Sequence, residues 1–361
     1  MRILFVSHLS HSASTGPNFS VPARIEAQSK IDEVYWLNLS NVEREDWKSK
    51  PYFHSANELR DISLDSIEKQ FPYPDIVVME GFYNMQQVFL SKELKKRLIP
   101  YVIVPRSSLT KQALNNHSWL KKYIAHKIFF DSYCHKALAI QYLTEAEFND
   151  SGSRWNNNNI IIPNGINIPK EKKTNFSTDA LHAVFVGRLD VYQKGLDILL
   201  NAINNIKNFL IQQNFHLTLY GPQLEDYMIV NSMIEELKIG DIVKMGGEIL
   251  GEKKHYSLLN ADLFILTSRF EGHPMGLIEA LAYGLPVLIT PGTNMAKEIS
   301  QSNSGWICEA NTESIKQSLV NIIESKMSFS QKGDNARLLS HKYDWKQLAQ
   351  SFHLEMIKLI N

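Results

Sequence analysis

Short β-branched or apolar runs recur along this chain between longer amphipathic stretches, and the series runs twice. The first half carries RILFV, EVYWLNL, DIVVMEG, YVIVPR and NIIIPNGI; the second restarts with HAVFVGRL, FHLTLYG, DIVKMGG, ADLFILTS and LPVLITPG. Such alternation predicts an α/β chain of parallel strands joined by helices. The second-half runs lead into Gly, Pro or Ser, where ligand loops leave the carboxyl ends of strands in an open sheet. With 361 residues the chain exceeds most single domains, so two doubly wound domains are expected. Between the series lies PKEKKTNFSTDA, polar and without periodicity, which reads as a linker. The expected domains are residues 1–170 and 171–344. In the C-terminal segment 345–361, Leu348, Phe352, Met356 and Leu359 fall near helical spacing, predicting a closing helix packed back on the first domain. Two domains joined by one linker would face each other across a cleft, the usual place for a small ligand.

Lysine plus arginine number 38, as do aspartate plus glutamate, which removes a global electrostatic argument for nucleic acid. Cys134 and Cys308 stand far apart with no neighbouring thiol or histidine pair, so neither a disulfide framework nor a zinc site is expected, and a cytoplasmic setting fits. The opening MRILFVSHLS has too short an apolar run for a signal peptide and reads as a first strand. No segment approaches the roughly 20 uninterrupted apolar residues of a membrane span.

The stretch SRFEGHPMGLIEALAYGLPV, residues 268–287, holds Glu271 and Glu279 around a predicted helix start with Pro274 in its first turn. The first amides, from Met275, Gly276 and Leu277, would form an anion site at the positive end of the helix dipole. Gly276 would let a phosphate come close. Glu279, one turn inside, suits a ribose diol beyond the phosphates, and Glu271 stands on their other side. The plain alternative is a capping Glu271 and a solvated Glu279. In FVGRLDVYQKGLDILLNAI a strand ends at Gly187, and Arg188 and Lys194 follow, two cations able to neutralise a diphosphate leaving group.

Together FVGRL, KGLDILLNAI, LYGPQ, MGGEI, TSRFEGHPMGLIEALAYGLPVL and the earlier IIIPNGI resemble the family 4 retaining glycosyltransferases. The resemblance implies the GT-B fold, with two Rossmann-like domains. Over the first half PDIVVMEG, PYVIVPRSSLTKQAL and YLTEAE resemble a bacterial subgroup that builds surface polysaccharides, in which a similar segment reads proline, arginine, glycine. It implies that Arg188 and Lys194 hold the donor's diphosphate, that Glu271 faces the transferred sugar, and that Glu279 binds the ribose. The base would meet backbone near Glu248 and Ile249. Gly16, in SHSASTGPNF, corresponds to a glycine-rich turn that lets the first domain approach the phosphates, although this chain has one glycine where two are common. The donor would be a nucleotide sugar, UDP being the commonest. The acceptor would be a growing glycan or a lipid-linked oligosaccharide at the cytoplasmic face of the membrane.

Many relatives place a histidine where this chain has Arg106, followed by Ser107 and Ser108. Arginine cannot serve as a base at neutral pH, so Arg106 is expected either to bind a hydroxyl, phosphate or acidic acceptor, or to pair with a nearby acid. Of His8, His11, His117, His126 and His135, only His8 and His11 lie in a loop expected to face the cleft. No Asp-x-Asp or histidine cluster is present, so no metal or other cofactor is expected. KQALNNHSWLKKYIAHKIFF interleaves Lys111, Lys121, Lys122 and Lys127 with Trp119, Tyr123 and Phe129 and could lie on an anionic membrane. The blander reading makes Leu120, Ile124 and Ile128 a core stripe with lysines at its edge. Competing functions are a phosphorylase-like enzyme, a nucleotide-sugar epimerase and a non-catalytic sensor. A dinucleotide dehydrogenase lacks its G-x-G-x-x-G.

Overall fold

A computed structural model of the chain describes residues 1–10, 16–114, 125–177 and 179–361. It divides into two compact units, Met1–Gly165 with Trp345–Asn361, and Ile166–Asp344. The first unit has a seven-stranded sheet in the order β3-β2-β1-β4-β5-β6-β7. Its strands are β1 (Arg2–Ser7), β2 (Glu33–Asn38), β3 (Phe53–Ser55), β4 (Ile76–Glu80), β5 (Tyr101–Val104), β6 (Ala139–Tyr142) and β7 (Asn159–Ile161). The second unit has a six-stranded sheet in the order β10-β9-β8-β11-β12-β13. These strands are β8 (Leu181–Val186), β9 (Phe215–Tyr220), β10 (Val243–Gly247), β11 (Leu263–Leu266), β12 (Val287–Ile289) and β13 (Gly305–Ile307). All strand pairs are parallel. The winding reverses between β1 and β4 and between β8 and β11. At such a reversal neighbouring loops diverge, opening a crevice at the carboxyl ends of the strands.

Burial on both faces explains why the strands read as continuous apolar runs. Along β1, Ile3 and Phe5 pack with Trp36, Val78 and Phe352, whereas Leu4 and Val6 pack with Tyr35, Leu37 and Met79. The Trp345–Ile360 helix buries Leu348, Phe352 and Met356 in the first of these clusters, within the first unit. A side chain at Gly165 would meet the Trp345 ring at 2.5 Å, so glycine is what lets the chain pass beneath that helix.

The stretch expected to be a linker is instead part of the second unit. Phe176 packs against Phe329 with ring centroids 6.0 Å apart. Lys173 Nζ lies 3.1 Å from the buried Asp262, and Arg337 donates to the Pro169 carbonyl at 2.5 Å. The division therefore falls at Gly165/Ile166 rather than at 170/171, because a few anchors fix an otherwise polar segment. In the basic aromatic stretch, Trp119, Lys121, Lys122 and Tyr123, with Leu120, Ile124 and His117, lie outside the described residues, as does His11. Ile128, expected in the core stripe, is 61% exposed. His126–Phe130 forms a wide π-helical turn, and its buried positions are His126 and Phe130.

Candidate functional site

At the reversal point of the second sheet, β8 runs into Gly187, whose amide extends the ladder to the Tyr220 carbonyl at 3.0 Å. Arg188 follows. It is 45% exposed and held by one donation to Gln193 Oε1 at 2.7 Å, with Asp190 at 3.9 Å. Gln193 in turn donates to the Phe270 carbonyl at 3.3 Å, linking the loop after β8 to the loop after β11. Gly195 closes the first of these loops at φ +64°, where a Cβ would sit 2.2 Å from the Thr267 carbonyl. Only glycine allows that approach. The two loops are also riveted by Arg269, which grips Asp197 with two bonds of 2.7 and 2.8 Å.

The close approach delivers Lys194 to Glu271. Lys194 Nζ donates to Glu271 Oε1 at 2.5 Å, and Ser268 Oγ donates to the same oxygen at 2.6 Å. Both charged side chains are largely enclosed, 12% and 7% exposed. Asn294, itself in a left-handed conformation, donates to the Glu271 carbonyl at 2.5 Å and fixes the backbone. An ammonium has three donors, so Lys194 can hold Glu271 and a further acceptor together.

The helix after β11 spans Met275–Ala282 with Pro274 as its N-cap, one position earlier than a first-turn proline. The Leu277 amide donates to the Pro274 carbonyl at 3.1 Å, so it is not among the open amides as expected. Those of Met275 and Gly276 have no acceptor among the described residues. Gly276 also has a close protein neighbour: a Cβ there would lie 2.4 Å from the Val186 carbonyl. Its bare backbone seats the start of the helix on the end of β8, beside Gly187 and Arg188.

Glu279, one turn on, meets Lys254 Nζ at 2.5 Å. Lys254 comes from the Gly251–Asn260 helix, which follows the exposed Glu248 and the half-buried Ile249 after β10. Lys254, Gln193, Ser268 and Asn294 were not legible as site residues. Lys254, Gln193 and Asn294 act through contacts distant in sequence, whereas Ser268 lies only three residues before Glu271, and Gln193 stands beside Lys194. His273, between the two acids, is buried, and its imidazole is pushed down to about 3 by loss of solvent, so it stays neutral.

In the first unit Arg106 belongs to an internal brace, the plainer of its two expected roles. Its Nε donates to Glu80 Oε2 at 2.8 Å, and Nη1 reaches Ser20 Oγ at 3.0 Å and Asn164 Oδ1 at 3.2 Å. The other Glu80 oxygen takes Arg24 Nη1 at 2.9 Å, and Arg24 also holds Gln141 at 2.6 Å. Arg106 and Ser107 both have positive φ, 50° and 67°. Glycine would occupy the Ser107 conformation without strain, which accounts for a glycine in similar segments. Here the buried Glu147 holds the turn, accepting from the Ser107 amide at 2.5 Å and the Leu143 amide at 2.7 Å. Burial raises the Glu147 carboxyl above its usual range, against these hydrogen bonds.

Gly16 is the N-cap of the Pro17–Gln28 helix in ordinary helical conformation, and a Cβ would meet nothing within 4 Å. His8 is exposed and lines a pocket of about 420 Å³ with Glu80, Tyr83, Asn84 and Gln87. His126 is buried and bonded to the Tyr83 hydroxyl at 2.9 Å, and His135 Nδ1 pairs with the Asp131 carbonyl at 2.6 Å.

Residues 167–338 match the family model described as Glycosyl transferases group 1. An uncharacterized glycosyltransferase of Haemophilus influenzae is 25% identical over 310 residues, covering 84% of this chain and 80% of that protein. The putative colanic acid biosynthesis glycosyltransferase WcaL of Escherichia coli is 28% identical over 137 residues, 36% of this chain and 33% of its own. Among solved structures, Anabaena HepE in complex with UDP aligns with a TM-score of 0.78 at 15% identity, over 99% of this chain and 100% of that one. The fold is thus that of the GT-B glycosyltransferases, and residues 167–338 carry a glycosyltransferase group 1 domain.

Proposed function

We propose that the chain is a retaining, family 4 hexosyltransferase acting without a metal. It would move a hexose or N-acetylhexosamine from a nucleotide sugar, most readily a UDP-sugar, to a growing bacterial surface glycan such as O-antigen, capsule or lipopolysaccharide. The observation that carries this reading lies at the reversal point of the second sheet. There two acids, each paired with a lysine, flank the open amides of Met275 and Gly276. Those amides, Lys194 and the exposed Arg188 supply the positive charge that a diphosphate needs in place of a metal. Ser268 and Asn294 hold Glu271 at the far end, toward the transferred ring, and Glu279 takes the ribose. The relatives support the donor and glycan classes: the Anabaena structure is a UDP complex, and WcaL is named for colanic acid biosynthesis.

In the reaction the bond between the anomeric carbon and the diphosphate oxygen breaks as the acceptor hydroxyl bonds to that carbon on the same face. The acceptor's proton passes to the departing phosphate oxygen. Arg188, Lys194 and the two amides stabilise the charge gathering there, and removing one such donor typically costs about 3 kcal/mol of barrier. Arg106 gives Nε to Glu80 and Nη1 to Ser20 and Asn164, while its Nη2 has no hydrogen-bond partner among the described residues and is left for a phosphate, a sugar hydroxyl or an acidic acceptor.

The test is a panel of nucleotide sugars screened for a rise in melting temperature, followed by turnover with EDTA present and by NMR of the product's anomeric configuration. One donor should stabilise the protein and be consumed in EDTA with its configuration kept. An inverted product, or activity that returns only with a divalent ion, would overturn the proposed mechanism.

A further inference from the structure

Lys254 has no role in any motif of the chain, yet it stands against the acid assigned to the ribose. Its Nζ lies 2.5 Å from Glu279 Oε2, an oxygen sealed from solvent whose contact with the ammonium is an ion pair without hydrogen-bond alignment, and the two side chains are 24% and 17% exposed. The contact is built rather than incidental. The next residue, His255, meets the Tyr283 hydroxyl through Nδ1 at 2.9 Å, and Tyr283 closes the helix that carries Glu279 four positions earlier. Adjacent residues of the Gly251–Asn260 helix thus grip two sites one turn apart on the neighbouring helix.

We infer that Lys254 is a positioning residue for the nucleotide's ribose. The inference rests on the reading of Glu279 as the ribose acceptor. A carboxylate offers two oxygens. With Oε2 held by Lys254, Oε1 is left in a fixed orientation to accept from the ribose hydroxyls. Lys254 also cancels a negative charge that would otherwise stand close to a bound diphosphate, where like charges oppose each other.

The experiment measures binding of UDP, GDP and ADP, each beside its 2′-deoxy counterpart, by calorimetry on the full chain. The proteins are wild type, Lys254→Met, Lys254→Arg, Glu279→Gln and the Lys254→Met/Glu279→Gln double variant. For the base that binds, wild type should prefer the ribo form by about tenfold, the usual scale for one charge-assisted hydrogen bond. Lys254→Met should erase most of that preference, Lys254→Arg should restore part of it, and the double variant should be no worse than Glu279→Gln. In turnover, Lys254→Met should raise donor KM and leave kcat within about twofold, the pattern of lost ground-state binding.

A Lys254→Met protein that keeps the ribo preference while Glu279→Gln loses it removes the inference and leaves the ribose reading intact. A Glu279→Gln protein that keeps the preference removes the ribose reading itself. Equal losses for ribo and deoxy ligands in Lys254→Met, or a lowered melting temperature in both Lys254 variants, would reduce the contact to a helix brace. Failure of all three bases to bind wild type overturns both readings.

Discussion

Each sheet brings an acid to the loop ends beside its reversal point, and the two are held in opposite ways. Glu80, the last residue of β4, is 1% exposed and has both oxygens taken by arginines, Arg24 and Arg106. Those guanidiniums are themselves occupied by Gln141, Ser20 and Asn164. Glu271, after β11, meets a single lysine and a serine on one oxygen, next to a helix start with two open amides. One geometry thus braces the first unit and, on the proposed reading, receives a ligand in the second. A carboxylate with both oxygens taken resists change, even though Arg106 Nη2 finds no hydrogen-bond partner among the described residues. An ammonium with donors to spare can take a ligand without releasing its partner.

Removing the brace should have the largest effect. Glu80→Gln keeps the shape but leaves two buried guanidiniums without an anion, and orphaning a buried ion pair costs about 3–5 kcal/mol. Urea unfolding followed by circular dichroism should show the first unit melting at clearly lower denaturant, or the variant should fail to fold. A shift below about 1 kcal/mol would mean that the network contributes little, as exposed pairs do.

A smaller effect sharpens the other side. Gly276→Ala places a methyl 2.4 Å from the Val186 carbonyl, so the helix start must lift from the end of β8. Overpacking of this kind costs about 1–3 kcal/mol. The same displacement moves the Met275 and Gly276 amides, so donor affinity should fall together with the second unit's stability. Unchanged affinity with reduced stability would detach these amides from the diphosphate.

The strands were legible because burial on both faces leaves an apolar run for each, and β1 with its two-sided packing is typical. The Trp345–Ile360 helix was legible from its periodic Leu348, Phe352 and Met356. Partners distant in sequence were not. Arg106 reads as a cation after a strand, and nothing near it in sequence points to Glu80 as its counter-ion. Lys254 looks like one surface lysine beside another until folding sets it on Glu279. The glycine at 276 is plain in the sequence, but its close approach to the Val186 carbonyl is not. The residues 169–180 look like a linker because their anchors, among them Phe176, Lys173 and the Pro169 carbonyl, are scattered through a polar stretch.

On the proposed reading Glu271 and Glu279 divide the work of one donor site, and steady-state kinetics of Glu271→Gln and Glu279→Gln separates their roles. Glu279→Gln weakens a charge-assisted bond made in ground and transition states alike, so donor KM should rise about tenfold with kcat within about twofold. Glu271→Gln removes negative charge beside a ring that becomes positive as the glycosidic bond breaks, so kcat should fall about a hundredfold with KM little changed. Equal changes in both parameters for both variants, or a collapse of melting temperature in either, would contradict the account and make the two acids braces, as Glu80 is.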